Sequence, residues 1–287
     1  MKSADIRQSA EFAAFMSDIG WKYSQVSGNY VYLRKFPIIG NFAKCPRPTL
    51  PLEFSEIRAL IKKKRIFNFK LAPNLSTDNK IYKYEKNKYL KSGFKIDIEP
   101  FNPTTTIIVD LVPSENEIFK KFSEAKRRGV RRALKNGVTV SKSDDIDSFI
   151  KIRQKQFSPM GFLITGEMKM LWKNFYPKKC DLLLAATSDG HFVSGIQILY
   201  YKDYAYYWFA SSRPEGKKLF APTLLVWEAV KTAKKRGAKI LDFEGVFDER
   251  FPKASEAWRG FTKFKEGFSD KKIIFMENFS YKKGLFS

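Results

Sequence analysis

The sequence predicts a mixed α/β fold, with largely antiparallel sheets flanked by helices. Three observations carry this expectation. The second half reads helix, helix, three consecutive strands, helix, strand, the layout of a small mixed α/β lobe. The first half also alternates helical and extended segments, at residues 9–20, 29–35, 53–64, 66–71 and 105–111. A chain of 287 residues that is 44% hydrophobic can bury one large core or two modest ones, and its length favours two.

Each element has a local reason. Phe12, Phe15, Met16 and Ile19 recur at helical spacing, and Gly20 follows as a stop. Asn29-Tyr30-Val31-Tyr32-Leu33 is β-rich, and the prolines at 46, 48 and 51 then interrupt regular structure. Phe54, Ile57, Leu60 and Ile61 form the inward stripe of a helix over 53–64, followed by a strand over 66–71. Residues 76–92 are polar and only weakly periodic. A strand over 105–111 leads to Pro113-Ser114-Glu115, which starts a single helix ending at Gly137, and Val138-Thr139-Val140 is extended. Helices follow over 146–157 and 165–175. Strands over 182–186, 192–200 and 204–210 are joined by turns at Asp189-Gly190 and Lys202-Asp203. A helix over 221–236, a strand over 240–243 and a strand over 275–279 complete the chain.

Composition narrows the function. No apolar run of about 20 residues spans a bilayer, and the opening Met1-Lys2-Ser3-Ala4-Asp5 lacks a signal-peptide core. A cytoplasmic protein is expected. Cys45 and Cys180 form no zinc-type cluster, so two buried thiols and no metal are expected. The formal charge of +23 favours polyanionic partners, although a lysine-rich composition alone can produce it. Local clustering is more informative: Arg127, Arg128, Arg131 and Arg132 are four of only 14 arginines.

Several segments resemble the FemABX family of aminoacyl-tRNA-dependent peptidoglycan-bridge enzymes. They are the basic helix from Lys126 to Lys135 with the following Gly137-Val138, and Phe220-Ala221-Pro222 with Trp227-Glu228. Leu241-Asp242-Phe243-Glu244-Gly245 and Phe264-Lys265-Glu266-Gly267-Phe268 follow in the family's order. Gly20-Trp21, Pro46-Arg47-Pro48 and Ala72-Pro73-Asn74 match its upstream landmarks. The resemblance implies two N-acetyltransferase-like lobes, here 1–143 with the connecting helix 114–136 and 144–287, with a tail that can return to the first lobe. It implies transfer of an amino acid from aminoacyl-tRNA to an amine of a lipid-linked or nucleotide-linked peptidoglycan precursor. The protein would then work in the cytoplasm, with peripheral contact to the anionic inner face of the plasma membrane, and with no cofactor. Two departures stand out: Ala72 occupies a position often acidic in the family, and Glu244 replaces a glycine.

Aminolysis of an ester needs no enzyme nucleophile, and the single histidine, His191, lies in a turn. It does need a fixed cation beside the developing oxyanion. By the resemblance that cation is Lys265, next to Phe264, and Asp242 orients the amine or accepts its proton, unless it only caps its loop. Lys126, Arg127, Arg128, Arg131, Arg132 and Lys135 form either a solvated face or a phosphate cradle for tRNA or a pyrophosphate-bearing precursor. Tyr207, Pro222 and Glu244 are expected in the acceptor cleft. Two other readings compete. One is an acyl-CoA-dependent N-acyltransferase acting on a small amine or polysaccharide, since Arg213-Pro214-Glu215-Gly216-Lys217-Lys218 approaches a coenzyme A loop, although acetyl-CoA fits less well because the segment ends in Lys. The other is a non-catalytic RNA-binding module.

Overall fold

The computed structural model describes residues 5–156 and 165–282. Phe157, expected to end a helix, lies outside the described residues. In chain order the elements are α1 (Ala10–Asp18), β1 (Lys22–Val26), β2 (Asn29–Phe36), β3 (Gly40–Pro46), α2 (Phe54–Lys63), β4 (Ile66–Ala72), α3 (Tyr82–Lys91) and β5 (Lys95–Ile96). Next come β6 (Thr105–Asp110), α4 (Glu115–Lys121), α5 (Glu124–Lys135), β7 (Thr139–Ser143), α6 (Ile146–Gln156), α7 (Thr165–Phe175), β8 (Cys180–Ala186), β9 (Phe192–Tyr201) and β10 (Tyr204–Ser212). The chain closes with α8 (Pro214–Lys218), α9 (Ala221–Lys235), β11 (Ile240–Gly245), α10 (Pro252–Ser255), α11 (Arg259–Glu266), β12 (Lys272–Ile274) and β13 (Phe279–Lys282).

The chain forms two compact units. The first is Met1–Thr106 with Gly245–Arg259 and Ile273–Ser287, and the second is Ile107–Glu244 with Gly260–Lys272. This division differs from the sequence reading, which cut the chain after residue 143 and put the basic helix in the first lobe. That helix packs within the second unit instead. Gly129 of α5 faces α9 so closely that an added Cβ would lie 3.1 Å from Thr223 Cγ2.

The first unit contains a six-stranded sheet in the order β1-β2-β3-β4-β13-β5. Its core gathers Val31, Leu33, Ile57, Ile61, Phe69, Tyr89 and Phe279, all buried. β13 inserts antiparallel between β4 and β5. The expected strand over 275–279 is replaced by β12 and β13 with a connecting segment, in which Phe275 makes one bridge to Ser76. A polar knot braces this unit. The Asp248 carboxylate accepts from Thr104 Oγ1 at 2.6 Å, Thr105 Oγ1 at 2.8 Å and Arg250 Nη2 at 2.7 Å. These partners hold its pKa down at about 2 against the opposing effect of burial.

The seven-stranded sheet runs β12-β6-β11-β10-β9-β8-β7. β7 to β10 form an antiparallel meander. β11 joins β10 in parallel over only three pairs, Tyr204–Tyr206 against Ile240–Asp242. Immediately beyond them, β10 shifts register between Tyr207 and Phe209. A bulge bends its strand; β10 goes on pairing with β9 to Ser212, while its pairing with β11 stops at Tyr206 and Asp242.

The expected helix over 114–136 is two helices. Phe122 is extended, with φ −62° and ψ 144°, and Ser123 caps α5 by accepting from the Lys126 N–H. Phe122 is thereby buried in an aromatic cluster with Phe119, Trp227 and Phe268. Phe119 and Phe122 therefore do not share a helix face with Val130 and Ala133. Cys45 and Cys180 are free and buried, and burial pushes the Cys180 thiol up to about 12. Among the described residues, no helix is long and apolar enough to cross a membrane.

Candidate functional site

Three elements of the second unit meet around Phe264 and Lys265: the end of β11, helix α11 and the first turn of α5. β11 delivers Asp242 and Glu244. Asp242 is buried, and its Oδ1 accepts from the Glu244 N–H at 2.7 Å. That bond turns the chain at a residue with φ +60°, the left-handed region that disfavours a side chain. The departure from glycine at 244 is thus a conformational liability, retained beside a charge. Asp242 caps its turn and also acts electrostatically on Lys265.

Lys265 is half-buried on α11. Burial lowers its pKa to about 8, while the Asp242 and Glu244 carboxylates pull the other way. The result is an ammonium poorly solvated by water and faced by two carboxylates.

Lys126 is half-buried, unlike the exposed Arg128, Arg131, Arg132 and Lys135 of the same helix. Its Nζ lies 3.8 Å from the centre of the Phe264 ring and 4.9 Å from that of Phe268. Burial lowers its pKa to about 8. Gly267 makes this seat possible, because a Cβ there would come within 2.5 Å of Lys126 Cε. The backbone clamps the same corner, with the Ser123 N–H donating to Gly267 O at 2.9 Å. Phe264 packs on Phe268 at 5.1 Å, Phe268 on Phe243 at 5.7 Å, and Phe243 on Tyr207 at 5.3 Å. An aromatic wall thus links α11 to β11 and β10. Burial drives the Tyr207 phenol well above its usual range, so it stays protonated at neutral pH.

The remaining basic residues line the outer side of α5. Arg128, Arg131, Arg132 and Lys135 are exposed. Arg127 is half-buried and donates to Lys120 O at 2.6 Å, closing the α4–α5 corner. Arg128 pairs with Glu124 at 3.4 Å, an exposed bridge of little energetic weight. Arg132 lies over the Phe220 ring at 5.6 Å. Pro222 occupies the first turn of α9, beside the Thr223 that packs on Gly129, which groups it with α5. His191 sits exposed in its turn, 2.9 Å from Asp189.

The segment that approached a coenzyme A loop folds into α8. Its Gly216 is buried, and an added Cβ would lie 2.8 Å from both Ser212 Oγ and Val193 O. This glycine is required for packing on β9. Sequence reasoning missed the aromatic seat of Lys126 and the Asp248–Arg250 knot. Gly267, inside the Phe-Lys motif, was the one available signal for the first.

A family model described as an acetyltransferase (GNAT) domain matches residues 120–253. No curated protein matches the chain by sequence. Among solved structures, FemX superposes with a TM-score of 0.79 at 16% identity, over 98% of this chain and 92% of that one. L-PGS from Bacillus licheniformis gives 0.60 at 15% identity, over 94% and 87%. A tandem GNAT protein from the clavulanic acid biosynthesis pathway gives 0.57 at 10% identity, over 91% and 81%. The chain has a FemABX-like N-acetyltransferase fold, and the domain model that it matches is an acetyltransferase one.

Proposed function

We propose that this protein is an aminoacyltransferase that moves an amino acid from aminoacyl-tRNA to an amine of a peptidoglycan precursor. The observation that carries the reading is the half-buried Lys265 ammonium, next to Phe264 in sequence and subject to the charges of Glu244 and Asp242. The FemABX-like motifs and fold support it; fold alone would not define a reaction. In this scheme the acceptor amine attacks the ester carbonyl, and a C–N bond forms as the carbonyl oxygen becomes negative. Lys265, mostly protonated at pH 7 with a pKa of about 8, stabilises that oxygen. The intermediate collapses, the C–O bond to ribose breaks, and the ribose oxygen leaves as a hydroxyl. The proton lost by the amine passes to Asp242 or Glu244, which take over the task that Ala72 cannot perform, and is handed on to the departing ribose oxygen. Arg128, Arg131, Arg132 and Lys135 bind phosphates of the tRNA. The acceptor is lipid-linked or nucleotide-linked; a nucleotide-linked one is met in the cytoplasm, and a lipid-linked one at the inner face of the membrane.

An acyl-CoA donor is disfavoured because Gly216, which would open its backbone cradle, is packed against β9. The test is incubation with a pool of charged tRNAs and a lysine-containing muropeptide precursor, read by mass, with acetyl-CoA as a parallel donor. Aminoacylated precursor is expected, and Lys265→Met lowers kcat by about 10²-fold or more. Acetylated product alone would replace the reading with the coenzyme A one. Unchanged turnover in Lys265→Met would remove this lysine from the mechanism.

A further inference from the structure

The hairpin tip between β2 and β3 has a conformation that folding alone does not account for. The Ile39 N–H donates to Pro37 O at 2.8 Å, which makes Ile38 the centre of a γ-turn. Its φ is +69°, where a β-branched residue is strained. The side chain gains nothing in return, because Ile38 is fully exposed. Ile39 is 53% exposed and Phe36 is 41% exposed. Strain at an exposed apolar residue points to a role outside the fold.

The charge around this tip is of one sign. Asn41 receives the end of α2, its N–H donating to Arg65 O at 3.0 Å and its side chain to Lys64 O at 2.5 Å. Residues 62–65 are all basic and exposed, and so are Arg34 and Lys35 on β2. No Asp or Glu occurs at 19–52 or at 57–77. All of these residues belong to the first unit. A nucleic acid would use the cations but leave Phe36, Ile38 and Ile39 in water. An anionic bilayer uses both, taking apolar side chains at the acyl boundary and lysines among its headgroups.

We infer that the β2–β3 tip is a membrane-surface anchor. Phe36, Ile38 and Ile39 enter the interface of an anionic bilayer, and the cations beside them bind its headgroup phosphates. This does not rest on the transferase reading.

The test is co-sedimentation of the full chain with vesicles of phosphatidylcholine and phosphatidylglycerol, against phosphatidylcholine alone. Binding is expected to the mixed vesicles and to fall with salt. Ile38→Gly and the double variant Ile38→Ser/Ile39→Ser should each lower partitioning, the double by about tenfold or more. Lys64→Glu with Arg65→Glu should lower it by about fivefold per lost cation. Ile38→Gly also relieves the strained φ, so an unchanged or raised Tm separates lost binding from lost folding. Unchanged partitioning in both apolar variants would overturn the anchor. So would binding of tRNA, but not of vesicles, through Lys64 and Arg65. A dimer dispersed by Ile38→Gly, without vesicle uptake, would assign the tip to a second copy of the chain. Transfer to a nucleotide-linked soluble acceptor should be indifferent to Ile38→Gly, so failure of either reading leaves the other measurable.

Discussion

Glu244 combines a cost in backbone conformation with an electrostatic role, and two substitutions separate them. At φ +60° an L-residue carries a steric penalty of about 1–2 kcal/mol. Glycine removes it but loses about 0.5–1 kcal/mol to its freer unfolded chain. Glu244→Gly should therefore stabilise the protein by about 0.5–1 kcal/mol, or about 2 °C in Tm. Glu244→Gln keeps the strain and removes only the charge, so it lacks that gain. Both variants remove a carboxylate that raises the Lys265 pKa, and both should shift it below about 8. Transfer that depends on a protonated Lys265 then loses activity at a lower pH on its alkaline side, equally in the two variants. The assays are thermal melts and pH–rate profiles of wild type, Gly and Gln side by side. The reasoning is refuted if Glu244→Gly melts below Glu244→Gln, or if the alkaline limb stays in place in both.

Three further outcomes are expected. Charge reversal at Arg128 and Arg131 should weaken tRNA binding and reduce its logarithmic salt slope by about 1 for each phosphate no longer neutralised; filter binding across a salt series reads this. Asp248 has a folded pKa of about 2, below its unfolded value, so its contribution of about 2 kcal/mol is complete above about pH 4 and is lost as pH falls through 2. Asp248→Asn should lower stability at neutral pH and flatten the acid limb of a stability–pH curve from chemical denaturation. Gly267→Ala should displace Lys126 from the Phe264 ring, and NMR titration of labelled lysines would show one pKa rising from about 8 toward 10.5.

The order of elements in the second half was legible because its periodicities are strong. In β8, six of seven residues are buried, and α9 buries Leu224, Leu225, Val226 and Ala229. α3 escaped because its buried residues are only Glu85 and Tyr89, too narrow a stripe to register as a period. The break at Phe122 is decided by the aromatic cluster around it, although Ser123 offered a local cap. In the site, Phe264, Lys265 and Asp242 were nameable because they lie in short contiguous motifs. The aromatic seat of Lys126 was not legible, since its ring partners are more than 130 positions away in sequence.

By itself the sequence determined most of the elements from α6 to β11, the basic face of α5 and the Phe-Lys motif, because each is encoded within one or two helical turns. Only the tertiary structure decided that β11 parts from β10 after three pairs, that Lys126 sits over the Phe264 ring, and that Lys265 is drawn from water beside Glu244 and Asp242. Solvation and the fields of neighbouring charges depend on atoms brought together from distant positions, and local patterning carries no record of that proximity.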